Sequence, residues 1–373
     1  MDLGSDTVSI GWAGDDAPNH IVKIREMCSL PQYEIKDPFG TDGRVRSWDM
    51  LERVLHHCLH DVLNVKPENH RILLTTAPLA TPEDNERLMQ IMFELWQSQA
   101  VVLRDPAVLS LYSAGRMTGL VLESGRHVTR AVPVKVYTEP PHLQAAGAPV
   151  PGAQEHGFAA GERITHHLRA ELAERGHDLS MENVIALKES GRLTVALDPA
   201  AAGDGGGGGG DGGGGDGGGE FALPDGTVVT LGDTSAYTEP LFSPTAQGDP
   251  VRSGPHDLVF DAYRNVLANG NGDVPFSAED LDHFRNVILT GTTTLFRGYP
   301  ERLTRELRNG AGPIGGRDNT RKLPSFRVIA PPERRCSAWI GGSIIGSLTM
   351  TEWTTKESYD EAPWPVIHHR KRF

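Results

Sequence analysis

Cysteine is scarce in this chain. There are three, Cys28, Cys58 and Cys336, an odd number without CxxC spacing, so they build neither a disulfide framework nor a zinc site by themselves. A reducing compartment, the cytoplasm, is the expectation. No run reaches the roughly 18 apolar residues that a membrane helix needs, and residues 1–10 lack a basic stretch followed by an apolar one. A secreted or membrane-spanning protein is therefore disfavoured. Positive charge is also short: 36 Lys and Arg face 49 Asp and Glu, a net charge of -13. That is the wrong sign for neutralising phosphates, and direct nucleic-acid binding is not expected. Histidine is more plentiful at 15, yet the pairs His56-His57, His166-His167 and His368-His369 are adjacent in sequence and diverge on a helix. They do not suggest a metal centre. What the chain does have is 38% hydrophobic residues over 373 positions, enough to build the cores of two ordinary domains.

One stretch is of low complexity. Residues 203–220 read GDGGGGGGDGGGGDGGGE, which cannot bury apolar surface and loses too much entropy to order. Its aspartates lack the regular period and apolar stacking positions of glycine-rich calcium repeats, so a flexible surface insertion within a domain is expected. Elsewhere strand and helix patterns alternate. Residues 71–76 (RILLTT) form an apolar run before Ala77-Pro78, and Pro82-Glu83 opens an amphipathic segment over 84–95. A short strand at 101–103, a helix over 107–116, a strand at 119–123 entering Ser124-Gly125, a strand at 286–290 entering Gly291 and a helix over 300–308 follow. Such alternation predicts an α/β architecture with parallel or mixed sheets.

The chemistry is expected where strands end in small-residue loops. Asp2-Leu3-Gly4-Ser5 and Glu123-Ser124-Gly125 each place an acid beside a Gly-Ser or Ser-Gly turn. Two such turns facing each other would offer backbone N–H groups to phosphates and carboxylates to the water shell of Mg2+.

Residues 11–18 (GWAGDDAP), Ala77-Pro78-Leu79, 90–94 (QIMFE), 107–112 (AVLSLY), 223–226 (LPDG), 330–334 (APPER), 339–343 (WIGGS) and the ending His369-Arg370-Lys371-Arg372-Phe373 resemble actin blocks, in actin's order. The chain thus looks like a divergent member of the actin and actin-related protein family. The resemblance implies two α/β lobes, each on a five-stranded mixed sheet, around a cleft for ATP or ADP with Mg2+. It assigns 1–22, 39–113 and 337–373 to the main part of an outer lobe and 23–38 to the remnant of its small subdomain. The inner lobe would comprise 114–159 and 250–336, with 160–249 as its small subdomain carrying the polyglycine insertion.

By the same resemblance, Asp2, Gly4 and Ser5 belong to a first phosphate hairpin, and Ser124, Gly125, Val128 and Thr129 to a second. Gly161 lies by the nucleotide, Lys188 and Glu189 near the adenosine, and Gly291, Thr293 and Thr294 in the adenosine loop; Arg335 completes the set. Asp2 and Glu123 would hold the metal through water. Departures fall on polar groups. Ser9 replaces a phosphate-contacting lysine, removing a cation. Pro106 replaces the glutamine that positions the attacking water and has no side-chain donor or acceptor. Glu123 is one methylene longer than the family's aspartate, and Arg126, His127 and Arg130 replace Asp, Gly and His. Arg126 or Arg130 either substitutes as a phosphate clamp or points to solvent, but an arginine does not serve as a base. Thr292 replaces a glycine in the adenosine loop, where it would crowd the backbone.

Residues 19–47 are far fewer than the family has between Pro18 and Trp48. The missing part matches the small outer subdomain whose loop inserts into the next subunit. The loop after Phe242-Ser243-Pro244 places Ala246 and Gln247 where the family has apolar residues. The expectation is a cytoplasmic, cytoskeletal assembly protein with actin, actin-related or actin-binding partners, weak or lost hydrolysis and impaired polymerisation. The alternatives are an active ATPase with a rearranged phosphate site, and a nuclear subunit of a chromatin-modifying complex.

Overall fold

The computed structural model describes residues 1–28, 37–137, 146–198, 220–243, 253–269, 276–310, 323–349 and 351–361. All of the polyglycine run but Glu220, the loop residues Ala246 and Gln247, and the ending 369–373 lie outside the described residues.

The chain opens as an antiparallel meander of β1 (Asp2–Leu3), β2 (Thr7–Ile10) and β3 (His20–Lys23), with Asp2 opposite Ser9 and Val8 opposite Val22. β4 (Arg71–Thr75) then pairs in parallel with β5 (Ala100–Arg104). Backbone bonds from the Met1 amino group to the Leu73 carbonyl (2.7 Å) and from Thr75 N–H to the Met1 carbonyl (3.1 Å) join the two groups. Two three-stranded sheets, of order β1-β2-β3 and β14-β5-β4, thus lie edge to edge, with β14 (Thr354–Thr355) antiparallel to β5. RILLT reads as an unbroken apolar run because both faces of β4 are covered. Ile72 and Leu74 pack with Leu51, Val54 and Leu55 of helix Trp48–His56, while Leu73 packs with Val102, Leu109 and Ala338 on the other side.

The second lobe has the same logic. β12 (Asn286–Thr290) lies between β13 (Arg327–Ile329) and β6 (Thr118–Ser124), parallel to both. β6, β7 (Thr129–Tyr137) and β8 (Ala146–Pro149) continue antiparallel, and β9 (Glu155–Gly157) adds to β7. Leu120, Leu122, Val287 and Leu289 face one core, Val121, Val132 and Ile288 the other. A smaller unit carries helices Gly161–Glu174 and Met181–Glu189 and the hairpin of β10 (Glu220–Ala222) and β11 (Val228–Thr230).

Helix Pro106–Ser113 joins the lobes, with Ala107, Val108 and Leu111 against the inner sheet and Leu109 in the cluster beneath the outer one. Helix Ser337–Ser347 crosses it so closely that a Cβ at Gly341 would lie 1.8 Å from the Leu109 carbonyl oxygen. Only glycine fits that crossing. Between β3 and Trp48, the described residues form the short helix Ile24–Cys28 and a tight turn in which Phe39 bridges Val45. No helix among the described residues is long and apolar enough to cross a membrane.

Candidate functional site

Two strand-joining turns lie side by side, Arg126 of the second reaching the Ser5 carbonyl of the first at 3.3 Å. In the first, Gly4 N–H donates to the Thr7 carbonyl at 3.0 Å, and a Cβ at Gly4 would lie 2.8 Å from that oxygen. In the second, Gly125 N–H donates to the Val128 carbonyl at 3.0 Å. A Cβ at Gly125 would meet only that carbonyl, at 3.7 Å, so the outside of this turn is open to close approach.

The second turn is tied to two others. The Gly125 carbonyl accepts from Gly161 N–H (3.0 Å) and from the Thr293 hydroxyl (2.7 Å). Gly291 has φ +89°, and a Cβ there would sit 2.3 Å from the Ser124 carbonyl oxygen. Sequence positions 125, 161 and 291–294 thus converge on one wall. The Thr294 hydroxyl donates to Gly291 O, and Thr129 donates to Ala159 O while its own oxygen pairs with Ser124. Lys188 reaches the same wall, donating to Thr165 Oγ1 at 2.8 Å and Gly161 O at 3.4 Å. Glu189 is turned outward to Lys23 at 3.6 Å, and Thr292 and Arg335 are exposed.

The phosphate side differs from expectation. Arg130 does not point to solvent: its side chain is 2% exposed. Its Nε donates to Glu123 Oε2 at 2.7 Å, Nη2 to Asp105 Oδ1 at 2.9 Å, and Nη1 to Asp105 Oδ2 and the Pro78 carbonyl, both at 3.0 Å. Burial opposes the charge, but Asp105 and Glu123 outweigh it and hold the guanidinium above its ordinary value. Asp105 is also the N-cap of the helix that Pro106 begins, accepting from Ala107 N–H at 2.7 Å. Pro106 itself is buried, and Ser9 is 5% exposed on β2.

Arg126 is likewise engaged. Its Nε donates to Glu162 Oε2 at 3.0 Å and its Nη1 to Asp37 Oδ2 at 2.6 Å and the Ser5 carbonyl at 3.3 Å. Arg25 adds Nη2 to the same Glu162 oxygen at 3.1 Å and lies 3.3 Å from Asp6. Burial works against the Glu162 charge, but Arg126 and Arg25 hold the carboxyl below its usual range. His127, on the turn between these groups, is buried with neither ring nitrogen bonded, and burial followed by the Arg126 charge lowers its pKa from the ordinary histidine value. The expected choice between phosphate clamp and solvent is thus replaced by a third outcome: each arginine on this hairpin crosses to outer-lobe groups, Arg126 to Asp37 and Ser5, Arg130 to Asp105 and Pro78. Of those partners, Asp37 and Asp105 were not singled out from the sequence. Only Asp105, an acid directly before a helix-opening proline, carried a local signal.

The frame of glycine turns fits a nucleotide, but the carboxylates do not fit a hydrated divalent cation. Glu123 is paired with Arg130. Asp2 accepts from the Thr75 hydroxyl at 3.1 Å, yet burial and then the Glu123 charge raise its carboxyl from 3.8 to about 6. Because this folded-state value lies above the unfolded one, the native protein loses stability as pH rises from 4 to 6. Asp2→Asn keeps the acceptor and removes the charge. It is expected to raise stability by about 1–2 kcal/mol at pH 7.5, with the gain vanishing near pH 4, as urea melts at the two pH values would show.

A family model described as Actin matches residues 22–198 and 211–372.

Proposed function

The chain belongs to the actin family, and from that premise we propose that it is a subunit or cap of a protein assembly that holds ATP or ADP in its interlobe cleft with little or no hydrolysis. The observation that carries this reading is the burial of Arg130 between Glu123 and Asp105, beside Pro106, where hydrolysis needs a metal's water shell and an oriented water. The glycine turns at 4 and 125 and the helix start at Gly161 argue for retained nucleotide binding. Commitment of Arg126 and Arg130 to carboxylates argues against the alternative of an active ATPase that uses either as a phosphate clamp.

Partners of actin, actin-related or actin-binding type would dock by an apolar surface. Ile344 and Leu348 are 42% and 53% exposed, one turn apart at the end of helix Ser337–Ser347, and support such a surface. The opposite contact is weak, because residues 19–47 leave little chain for a loop that inserts into a neighbour. A head-to-tail filament grows only when every subunit carries both complementary surfaces. In salt and Mg-ATP that polymerise actin, the pure protein is expected to stay in the supernatant on sedimentation and to show no two-stranded filaments in negative stain. Long filaments would overturn this reading.

A further inference from the structure

We infer that the cleft takes its nucleotide without a divalent cation, the guanidinium of Arg130 standing as a built-in cation on the carboxylate that a hydrated metal would use. The inference rests on the nucleotide reading above and narrows its ligand to the metal-free form. Glu123, two residues before Gly125 on β6, has Oε2 bonded to Arg130 Nε at 2.7 Å. The rest of the guanidinium fork is taken up by both oxygens of Asp105 and by the Pro78 carbonyl. A metal that recruited Glu123 would leave a guanidinium 2% exposed with half its counter-charge missing, and a broken buried pair is strongly unfavourable. It would also place a second cation beside the first. Arg130 is tethered to β7, whereas the metal must be drawn from solution.

The same arrangement sets an order among ligands. Ser9 brings no charge to the phosphates, and both hairpin arginines are already paired with carboxylates. Phosphates would meet backbone N–H groups of the two turns with Asp2 on the strand that leads into the first turn, so each added phosphate brings repulsion as well as contact. ADP is therefore expected to bind at least as tightly as ATP, the adenosine side at Gly161, Lys188 and Gly291–Thr294 supplying most of the hold.

Calorimetric titration of the full chain with ADP and with ATP, each in millimolar Mg2+ and in EDTA, tests this. The expected result is dissociation constants equal within about twofold in the two buffers. Tightening of tenfold or more with Mg2+ would overturn the inference and leave the nucleotide reading standing. If neither nucleotide binds in either buffer, the nucleotide reading fails and the inference fails with it. A Mn2+ titration of the ligand-free protein, read by electron paramagnetic resonance, separates the metal question from the nucleotide. Wild type should leave the free Mn2+ signal unchanged, and Arg130→His, which releases Glu123, should deplete it. A Mn2+ site in wild type that is lost in Glu123→Gln would overturn the inference even if Arg130→His does not fold.

Discussion

Replacing Arg130 by methionine is expected to cost about 3–5 kcal/mol at pH 7.5. The side chain is fully buried and bonds two carboxylates and a carbonyl. Methionine fills similar volume but leaves Asp105 and Glu123 facing each other without a cation. The loss comes from the two stranded charges more than from the pair itself, since a buried ion pair gains little over a well-packed neutral set. Two corollaries separate these causes. The variant should recover much of its stability at pH 5, because without the guanidinium both carboxyls titrate higher and are neutralised first in the folded state. Adding Asp105→Asn and Glu123→Gln should also recover most of the loss at pH 7.5, asparagine remaining a competent N-cap for helix Pro106–Ser113. Urea denaturation of the single and triple variants at both pH values measures this. A loss below about 1 kcal/mol in the single variant would mean that the network contributes little.

Much of the fold was legible because its strands announce themselves. RILLT and NVILT each carry three consecutive apolar residues, buried on both faces, and are followed by Ala-Pro and by Gly. Ends were less legible. The helix expected over 107–116 stops at Ser113, since Gly115 takes φ +64°, a conformation that ends helices. The helix that opens at Pro82 gives way after Gln90 to a wider turn over Ile91–Leu95, which no periodicity signals.

At the site, the glycine turns could be read because only glycine tolerates the close approaches at Gly4 and Gly291. The destination of the arginines could not. Arg130 meets Asp105 across 25 residues, and Arg126 meets Glu162 and Asp37 across 36 and 89. Such pairing is a product of the folded lobes, not of local spacing. The sequence showed that charge had changed sign beside the phosphates, but not that acids elsewhere in the chain answer each change.

Supplied with Mg-ATP, the purified protein is expected to release phosphate at least about 100-fold more slowly than filament-forming actin, the effect typical of losing one preorganised electrostatic donor. In-line attack on a phosphoryl group needs a water held in line and charge stabilisation on the oxygens of the transferred group. The side chains that the resemblance assigns to these two tasks are replaced here. Pro106 begins its helix with no side-chain polar atom, and the nearest fixed polar groups, Asp105 and Arg130, bond each other. Arg130 keeps its proton at any physiological pH and accepts none from water. Ser9 offers a hydroxyl where an ammonium would balance the phosphates. The losses are coupled, so single reversions should do little. Pro106→Gln leaves Arg130 on Glu123, and Ser9→Lys adds charge without a water or a metal. Ser9→Lys, Pro106→Gln and Arg130→His together should raise the rate more than the product of the single effects, because only the triple change frees Glu123 while supplying both missing groups. Continuous phosphate-release assays on the four variants and wild type decide it, and turnover by wild type at the rate of actin would show that the carboxylate-bound arginines do not silence the site.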